Sequence, residues 1–453
     1  MSAPGSPLSV AGPPQARMAP QRDSAEGSPL NVTKVVITGT GAVCAAGMQP
    51  QAILDTILSG QSAIGPIRQW DTTQWPATQA GEIADLDPRK LVPDRKLHKL
   101  IRRTDLVGLY AASSAIAASG FVAYRDALAL DEVAPYNDRT GAIVGSGGGN
   151  FQNQYDFFPL MSAAGGDLPA FGRELADNVN PMWLLRTLPN NVLGHVGIQY
   201  NLKGTNACIT NHSVGGTLAV IEAMEALRAG EADRVVAVGH ETPIEPQMVL
   251  YYHRVGLLAK NTLRPFDAAG DGSLFGEGAG ALMLETEASA NARGATVVGE
   301  VLGGGYASEG QGLLAIRADG DGLVRAIGMA LEDAGLAPAD VGMIVAHANG
   351  TRQSDASEAA ALRTVFGSAM PPVTGFKWAF GHLIAAAGII ETVVALAALK
   401  ANVVPGIATL AKLDDACAGL AVSAQPRPPR SNVALVLCRG FAGTNAALLV
   451  RTA

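Results

Sequence analysis

Apolar residues cover nearly every face of the stretch 214–228, VGGTLAVIEAMEALR. A helix patterned this way belongs inside a large core rather than on a surface. Gly230 is placed to end it, and 234–238 (RVVAV) reads as a buried strand that follows. Before the helix, 205–211 is small and β-branched and reads as another strand. Strands are also expected over 32–39, 141–149, 295–302 and 342–346, with helices over 105–120, 322–334 and 383–399. A final strand pair is expected to start near Leu420 and Val433, and 151–182 reads as loop. Residues 1–31, rich in Pro, Ser, Gly and Ala without periodicity, read as a disordered leader. Alternating strands and helices of this kind predict a layered α/β architecture.

Composition narrows the function classes. The 453 residues are 48% hydrophobic and 16% charged with 53 glycines, which suits a large α/β core with many close small-residue contacts. A net charge of −7 disfavours nucleic acid as the main partner. No run of 18 uninterrupted apolar residues predicts a membrane span, and residues 1–19 have no apolar core of a secretory signal. The four cysteines, Cys44, Cys208, Cys417 and Cys438, have no paired metal spacing and read as reduced thiols of a cytoplasmic protein; no metal site is expected.

Three local features suggest chemistry. In the turn TNHSVGG (210–216), Ser213 would stand at the N-terminus of the buried helix, where free N–H groups favour developing negative charge. The glycine-rich GTGAVCAAG near the start lacks the acidic residue that a dinucleotide site needs at the end of a second strand. The segment 88–103 is the most basic, with Arg95, Lys96, Lys99, Arg102 and Arg103 among its cations. It reads either as a solvated helix face or as a docking patch for an acidic partner.

Six motifs, in order, resemble those of the β-ketoacyl-ACP synthases, the condensing enzymes of fatty-acid and polyketide assembly. They are ITGTGAV, GEADRVVAVG, RPFDAAGDGSLFGEGAG, AHANGT, KWAFGHLIAAAG and GFAGTN, and the resemblance spans residues 32–450. It implies a thiolase-type fold: two pseudo-symmetric βαβαβαββ halves, 32–290 and 291–453, forming a layered α-β-α-β-α core. It implies no cofactor, because acyl groups arrive on the phosphopantetheine of an acyl carrier protein, and it implies a homodimer or a heterodimer with another ketosynthase. By the same resemblance His347 and His382 stabilise the enolate formed from malonyl. Lys377 holds the charge balance of the site, with Glu358 as the expected partner. Phe441 and Gly443 line the nucleophile, a backbone N–H there completing the oxyanion hole, while Glu277 and Asp267 are supporting residues. The region containing Phe157, Phe158 and Trp183 is implied to help form the acyl pocket and the dimer surface.

The chain departs from the family pattern where it matters most. Counting back without gaps from Asp233 and Gly230 puts Ser213, not Cys208, at the position of the family's nucleophilic cysteine. Arg439 replaces the usual aromatic residue, and Asn349 stands near the place of a small hydroxyl residue. A helix N-terminus can ionise a cysteine, but a serine needs a base within hydrogen-bond reach. His347 or His382 is the expected base; His212, adjacent in sequence, is expected to point away. Three readings follow: a condensing acyltransferase working through a Ser213 ester, a non-acylating partner resembling a chain-length factor, or a malonyl-ACP decarboxylase. A thiolase acting on CoA esters is weaker, because no second cysteine stands in a thiolase-like motif near the C-terminus.

Overall fold

A computed structural model describes residues 33–84, 86–148, 155 and 157–453. The leader expected over 1–31 and part of the loop after Gly148 lie outside the described residues. Residues 33–453 pack as one compact unit.

Ten strands form the main sheet: β1 (Val35–Cys44), β2 (Thr140–Ser146), β3 (Asn206–Ile209), β4 (Arg234–Glu241), β5 (Gly278–Thr286), β6 (Gly299–Ser308), β7 (Met343–Val345), β8 (Val373–Thr374), β9 (Val433–Gly440) and β10 (Thr444–Thr452). Their spatial order is β8-β7-β9-β10-β6-β1-β5-β4-β2-β3. This order is a palindrome. From β1 outward, two antiparallel pairings are followed by two parallel ones. From β6 outward the same sequence of pairings repeats. The two sets of five touch edge to edge where Val35–Ile37 of β1 meets β6.

Five helices complete the layers: α1 (Arg103–Ala118), α2 (Gly215–Arg228), α3 (Asp321–Ala334), α4 (Arg352–Phe366) and α5 (Ala387–Lys400). α1 covers β1, β4 and β5 on one outside, and α3 covers β6 and β10 on the other, with α4 against α3. Between the two five-stranded sets lie α2 and α5, which touch each other. The all-round apolar pattern has its cause here: eleven of the fourteen residues of α2 and twelve of the fourteen of α5 are buried.

Several expected boundaries shift. The loop expected over 151–182 contains the helices Phe158–Ala164 and Leu168–Asn178, each with proline in its first turn. Proline is well tolerated there because the first N–H groups of a helix have no partner to lose. The last strand pair is β9 with β10, joined by a tight turn; Leu420 lies outside any strand. The strand expected over 295–302 is displaced toward the C-terminus, to Gly299–Ser308.

The central layer is packed backbone to backbone. A Cβ on Gly216, in the first turn of α2, would lie 2.5 Å from the carbonyl oxygen of Ala385, just before α5. Gly216→Ala is therefore expected to lower stability by about 1–3 kcal/mol through overpacking, read as a lower urea midpoint with unchanged slope. An unchanged midpoint would mean that the two helix starts have room to separate.

Candidate active site

Both central helices begin with the same device. The 3-10 turns His212–Val214 and Ile384–Ala386 precede α2 and α5, and each opens on a non-glycine residue in the left-handed region, His212 at φ 44° and Ile384 at φ 45°. Such a conformation costs a side-chain-bearing residue of order 1–3 kcal/mol. At His212 it turns the imidazole back over the following residue. The Ser213 Oγ lies 2.9 Å from His212 Nδ1 and 3.2 Å from His382 Nε2. His212 was expected to point away from Ser213; the left-handed turn is why it does not.

The tautomers follow from backbone donors, which can only donate. The Ile384 N–H donates to His382 Nδ1 at 3.2 Å, so the neutral ring carries its proton on Nε2 and donates to Ser213 Oγ. His382 is thus a donor to the serine, not its base. The Phe441 N–H donates to His212 Nδ1 at 3.4 Å, which leaves the His212 proton on Nε2, 2.7 Å from the Tyr252 hydroxyl. The Arg439 N–H donates to His347 Nδ1 at 3.3 Å, giving that ring the same tautomer as His382. The rings of His347 and His382 meet edge to face, centroids 5.1 Å apart.

Burial sets the charge state of all three. Desolvation pulls His212 down to about 4, although part of its surface reaches the cavity. His347 and His382 lie well below the ordinary histidine range, first through desolvation and then through the nearby Lys377 cation. All three imidazoles are neutral at physiological pH.

Lys377 is fully buried, and its Nζ donates to the His347 carbonyl and to Glu391 Oε1 of α5, each at 2.6 Å. Its carboxylate partner is Glu391; the Glu358 that the sequence reading expected does not bond it. Glu358 instead accepts the N–H groups of His347 (2.7 Å) and Ala348 (2.9 Å), so that loop is held from both sides. Burial pushes Glu391 up to about 7 despite the attraction of Lys377. Gly381, at φ 84°, brings the chain against Phe275 just before His382; a Cβ there would lie 2.3 Å from the Phe275 carbonyl oxygen.

Ser213 and the three histidines, His212, His347 and His382, line a cavity of about 620 Å³ that also reaches Tyr252, Asn349, Leu313, Leu314 and Arg439. Arg439 does not swing free. It is buried, bonds Glu309 Oε1 at 2.9 Å and Asn445 Oδ1 at 2.9 Å, and donates to the Ser354 carbonyl. Gly443 accepts from the Glu309 N–H and the Asn445 amide at this wall. Phe441 stacks on His212, ring centroids 4.3 Å apart. The Cys438 thiol donates to the Ser213 carbonyl behind the site, and Cys208 lies away on β3, its thiol toward the Pro189 carbonyl.

Other expected residues belong elsewhere. Glu277 accepts the Ile83 N–H and pairs with Arg103, which therefore anchors the interior instead of offering a docking charge. Arg102 is half-buried, with its backbone N–H on Asp105, while Arg95, Lys96 and Lys99 are exposed. Asp267 accepts N–H groups from Ala269, Ala411 and Lys412, a structural cap as expected. Among the described residues no helix is long and apolar enough to cross a membrane, and no cluster of three His, Cys, Asp or Glu could hold a metal ion.

Comparison with solved structures gives the class. The fold is that of the ketosynthases, matching the ishigamide ketosynthase/chain length factor with a TM-score of 0.82 and 26% identity over 93% of this chain and 100% of that one. A β-ketoacyl synthase from Burkholderia phymatum matches with the same score, identity and coverage. Family models for the N-terminal and C-terminal domains of β-ketoacyl synthase match residues 32–290 and 298–411. The chain belongs to the β-ketoacyl synthase family, and its function is ketosynthase-like, in fatty-acid or polyketide biosynthesis. A 3-oxoacyl-[acyl-carrier-protein] synthase 2 of Coxiella burnetii is 29% identical over 430 residues, 92% of this chain and 98% of the relative. Nodulation protein E of a Rhizobium species is 30% identical over 421 residues, 92% and 99% of the two chains.

Removing Lys377 alone would leave Glu391 buried without its cation. Lys377→Met is expected to cost about 3–5 kcal/mol in chemical denaturation, with Lys377→Met/Glu391→Leu recovering most of it. A single variant as stable as the parent would show that the pair does not hold the His347 loop.

Proposed function

We propose that the chain is a carrier-protein-dependent condensing acyltransferase of the cytoplasm, in which Ser213 holds the acyl group as an ester. The observation that carries this reading is a hydroxyl poised between an acceptor and a donor, 2.9 Å from His212 Nδ1 and 3.2 Å from His382 Nε2, on the wall of a cavity large enough for an acyl chain. An acyl thioester delivered on phosphopantetheine would pass its acyl group to Ser213. Malonyl would then lose CO2, and the resulting enolate oxygen would take hydrogen bonds from the Nε2–H groups of His347 and His382, whose Nδ1 atoms are already occupied. Attack of the enolate carbon on the Ser213 ester forms the new C–C bond as the Oγ–C bond breaks, and the departing Oγ takes up a proton from solvent to return the serine. No step in this sequence calls for a cofactor.

The exposed Arg95, Lys96 and Lys99 support docking of an acidic carrier protein. The outer edge of β3 ends the sheet, and Leu184 and Ile198 nearby in sequence are exposed at 60% and 79%, which supports a second ketosynthase-like subunit on that side. Sedimentation of the chain alone and with a cysteine-bearing homologue would separate a homodimer from a heterodimer.

Intact-mass measurement after incubation with an acyl carrier thioester is expected to show an acyl adduct that Ser213→Ala abolishes. No adduct on the parent would sink the ester reading. The histidine pair favours malonyl decarboxylation as a second reading, because its donors do not depend on Ser213; CO2 release from malonyl carrier that survives Ser213→Ala would select it.

The pH dependence has a definite sign. Acylation needs neutral imidazoles, and a depressed pKa keeps them neutral to lower pH. The acylation rate is expected to stay level from pH 8 to about pH 5 and to fall only as pH drops through about 4, where His212 takes up a proton. An acid limb near the ordinary histidine value would contradict a desolvated site.

A further inference from the structure

We propose that Ser213, His212 and Tyr252 form a proton relay in which His212 Nδ1 is the general base for the serine and Tyr252 is the residue that positions that base. The proposal rests on the ester reading above for its purpose, but its geometry stands apart from the histidines that handle malonyl.

Five hydrogen bonds in the site agree in direction. The Ile384 N–H donates to His382 Nδ1, His382 Nε2–H to Ser213 Oγ, Ser213 Oγ–H to His212 Nδ1, and His212 Nε2–H to the Tyr252 oxygen. The fifth, from the Phe441 N–H to His212 Nδ1, constrains the far end. Because both backbone groups can only donate, reversing the chain would put two hydrogens face to face at His382 Nδ1 or at His212 Nδ1. Beside Ser213 the imidazole nitrogen that can accept its proton is His212 Nδ1, where the hydroxyl bond at 2.9 Å is shorter than the Phe441 N–H bond at 3.4 Å that shares the same lone pair.

Tyr252 and the rings around it hold that nitrogen in place. Tyr252 is 5% exposed on the helix Pro246–Arg254 and stacks on Phe441, which stacks on His212, while Phe275 meets Tyr252 edge to face at 4.6 Å. Ser213, Tyr252 and Phe441 contact His212, with the neutral His382 beyond Ser213; no carboxylate bonds the ring, and the nearby buried acid Glu241 acts on Tyr252 instead. The imidazolium formed during reaction is stabilised by the Tyr252 oxygen on Nε2 and not by an ion pair.

The step balances as an acyl transfer. The Ser213 Oγ–H bond breaks as its proton passes to His212 Nδ1, and the Oγ–C bond forms at the thioester carbonyl. The π pair moves to the carbonyl oxygen and returns as the C–S bond breaks. The sulfur leaves with that bonding pair and takes the proton from His212 Nδ1, so the products are the serine ester and the free thiol.

A fluorophosphonate probe tests the relay without any carrier protein, because it reports the nucleophilicity of Ser213 directly. The full-length parent is expected to label at Ser213, and His212→Gln, verified as folded by its melting curve, is expected to label about 10²–10⁴-fold more slowly. Equal rates in the two, or no labelling of the parent at Ser213, would overturn the proposal. Tyr252→Phe removes one oxygen only. In histidine-selective ¹⁵N spectra the His212 signal, assigned by its loss in His212→Gln, is expected to read as the Nε2–H tautomer in the parent and in Tyr252→Phe alike, because the Phe441 N–H keeps Nδ1 an acceptor, with the Nε2–H exchanging faster with solvent in Tyr252→Phe and a labelling loss smaller than that of His212→Gln. Unchanged Nε2–H exchange and an unchanged labelling rate would remove Tyr252 from the relay. A carrier-derived adduct formed equally fast in His212→Gln would sink the relay and leave the ester reading standing. His212-dependent probe labelling with no adduct from acyl carrier would do the reverse.

Discussion

Desolvation is the constraint on which this site depends. Two helices sandwiched between the two five-stranded sets leave the functional side chains in a region where a polar atom without a partner is costly, and where a charge is costlier still. The three histidines are neutral for that reason, and two of the nearby acids, Glu391 and Asp355, are pushed up to about 7 by the same burial. Neutral imidazoles are directional: each has one donor and one acceptor, so a single backbone N–H settles which nitrogen does what. Ile384, Arg439 and Phe441 supply those N–H groups. Main-chain placement thereby becomes chemical assignment.

The palindromic strand order explains how such placement is achieved. Each half carries its central helix after its third strand, so the starts of α2 and α5 are brought together in the middle of the molecule. One contributes the serine and the other, two residues before its own turn, contributes His382. The loop after β7 brings His347, and β9 runs on into Arg439 and Phe441. Lys377 then ties α5 to the His347 loop through Glu391 and a carbonyl. The cavity wall owes its rigidity to buried pairs of this kind, Arg439 with Glu309 being another.

Much of this was legible in the chain. The apolar runs of α2 and α5 could only be core helices, and the motifs around Ser213, His347 and His382 pointed to residues that do meet. What sequence could not supply was conformation that residue type does not encode. His212 is not a glycine, so nothing marked it for the left-handed turn that swings its ring onto Ser213. Glu391 lies in the middle of an apolar helix fourteen residues from Lys377, and it faces the lysine only because the chain doubles back through the turn at Gly381. The stretch 151–182 read as loop, yet Pro159 and Pro169 within it sit in first helical turns where they do no harm. The duplication was implied by the motif resemblance but not by any repeat in the residues, because it resides in pairing order, with a four-residue strand in one half standing where a two-residue strand stands in the other.

The repeated left-handed turn bears on how backbone outliers are interpreted. His212 taken alone would look like strain stored for catalysis. Its counterpart Ile384, at nearly the same φ, carries an aliphatic side chain and is followed by Ala385, with no reactive group of its own. The turn is thus part of the scaffold, the way this architecture starts a helix at its centre, and the strain is common to both halves. Nucleophilic chemistry belongs to one copy through two side chains, His and Ser, while the other copy contributes a backbone N–H that orients His382. An unusual φ in a duplicated fold should be compared with its twin before it is credited to function.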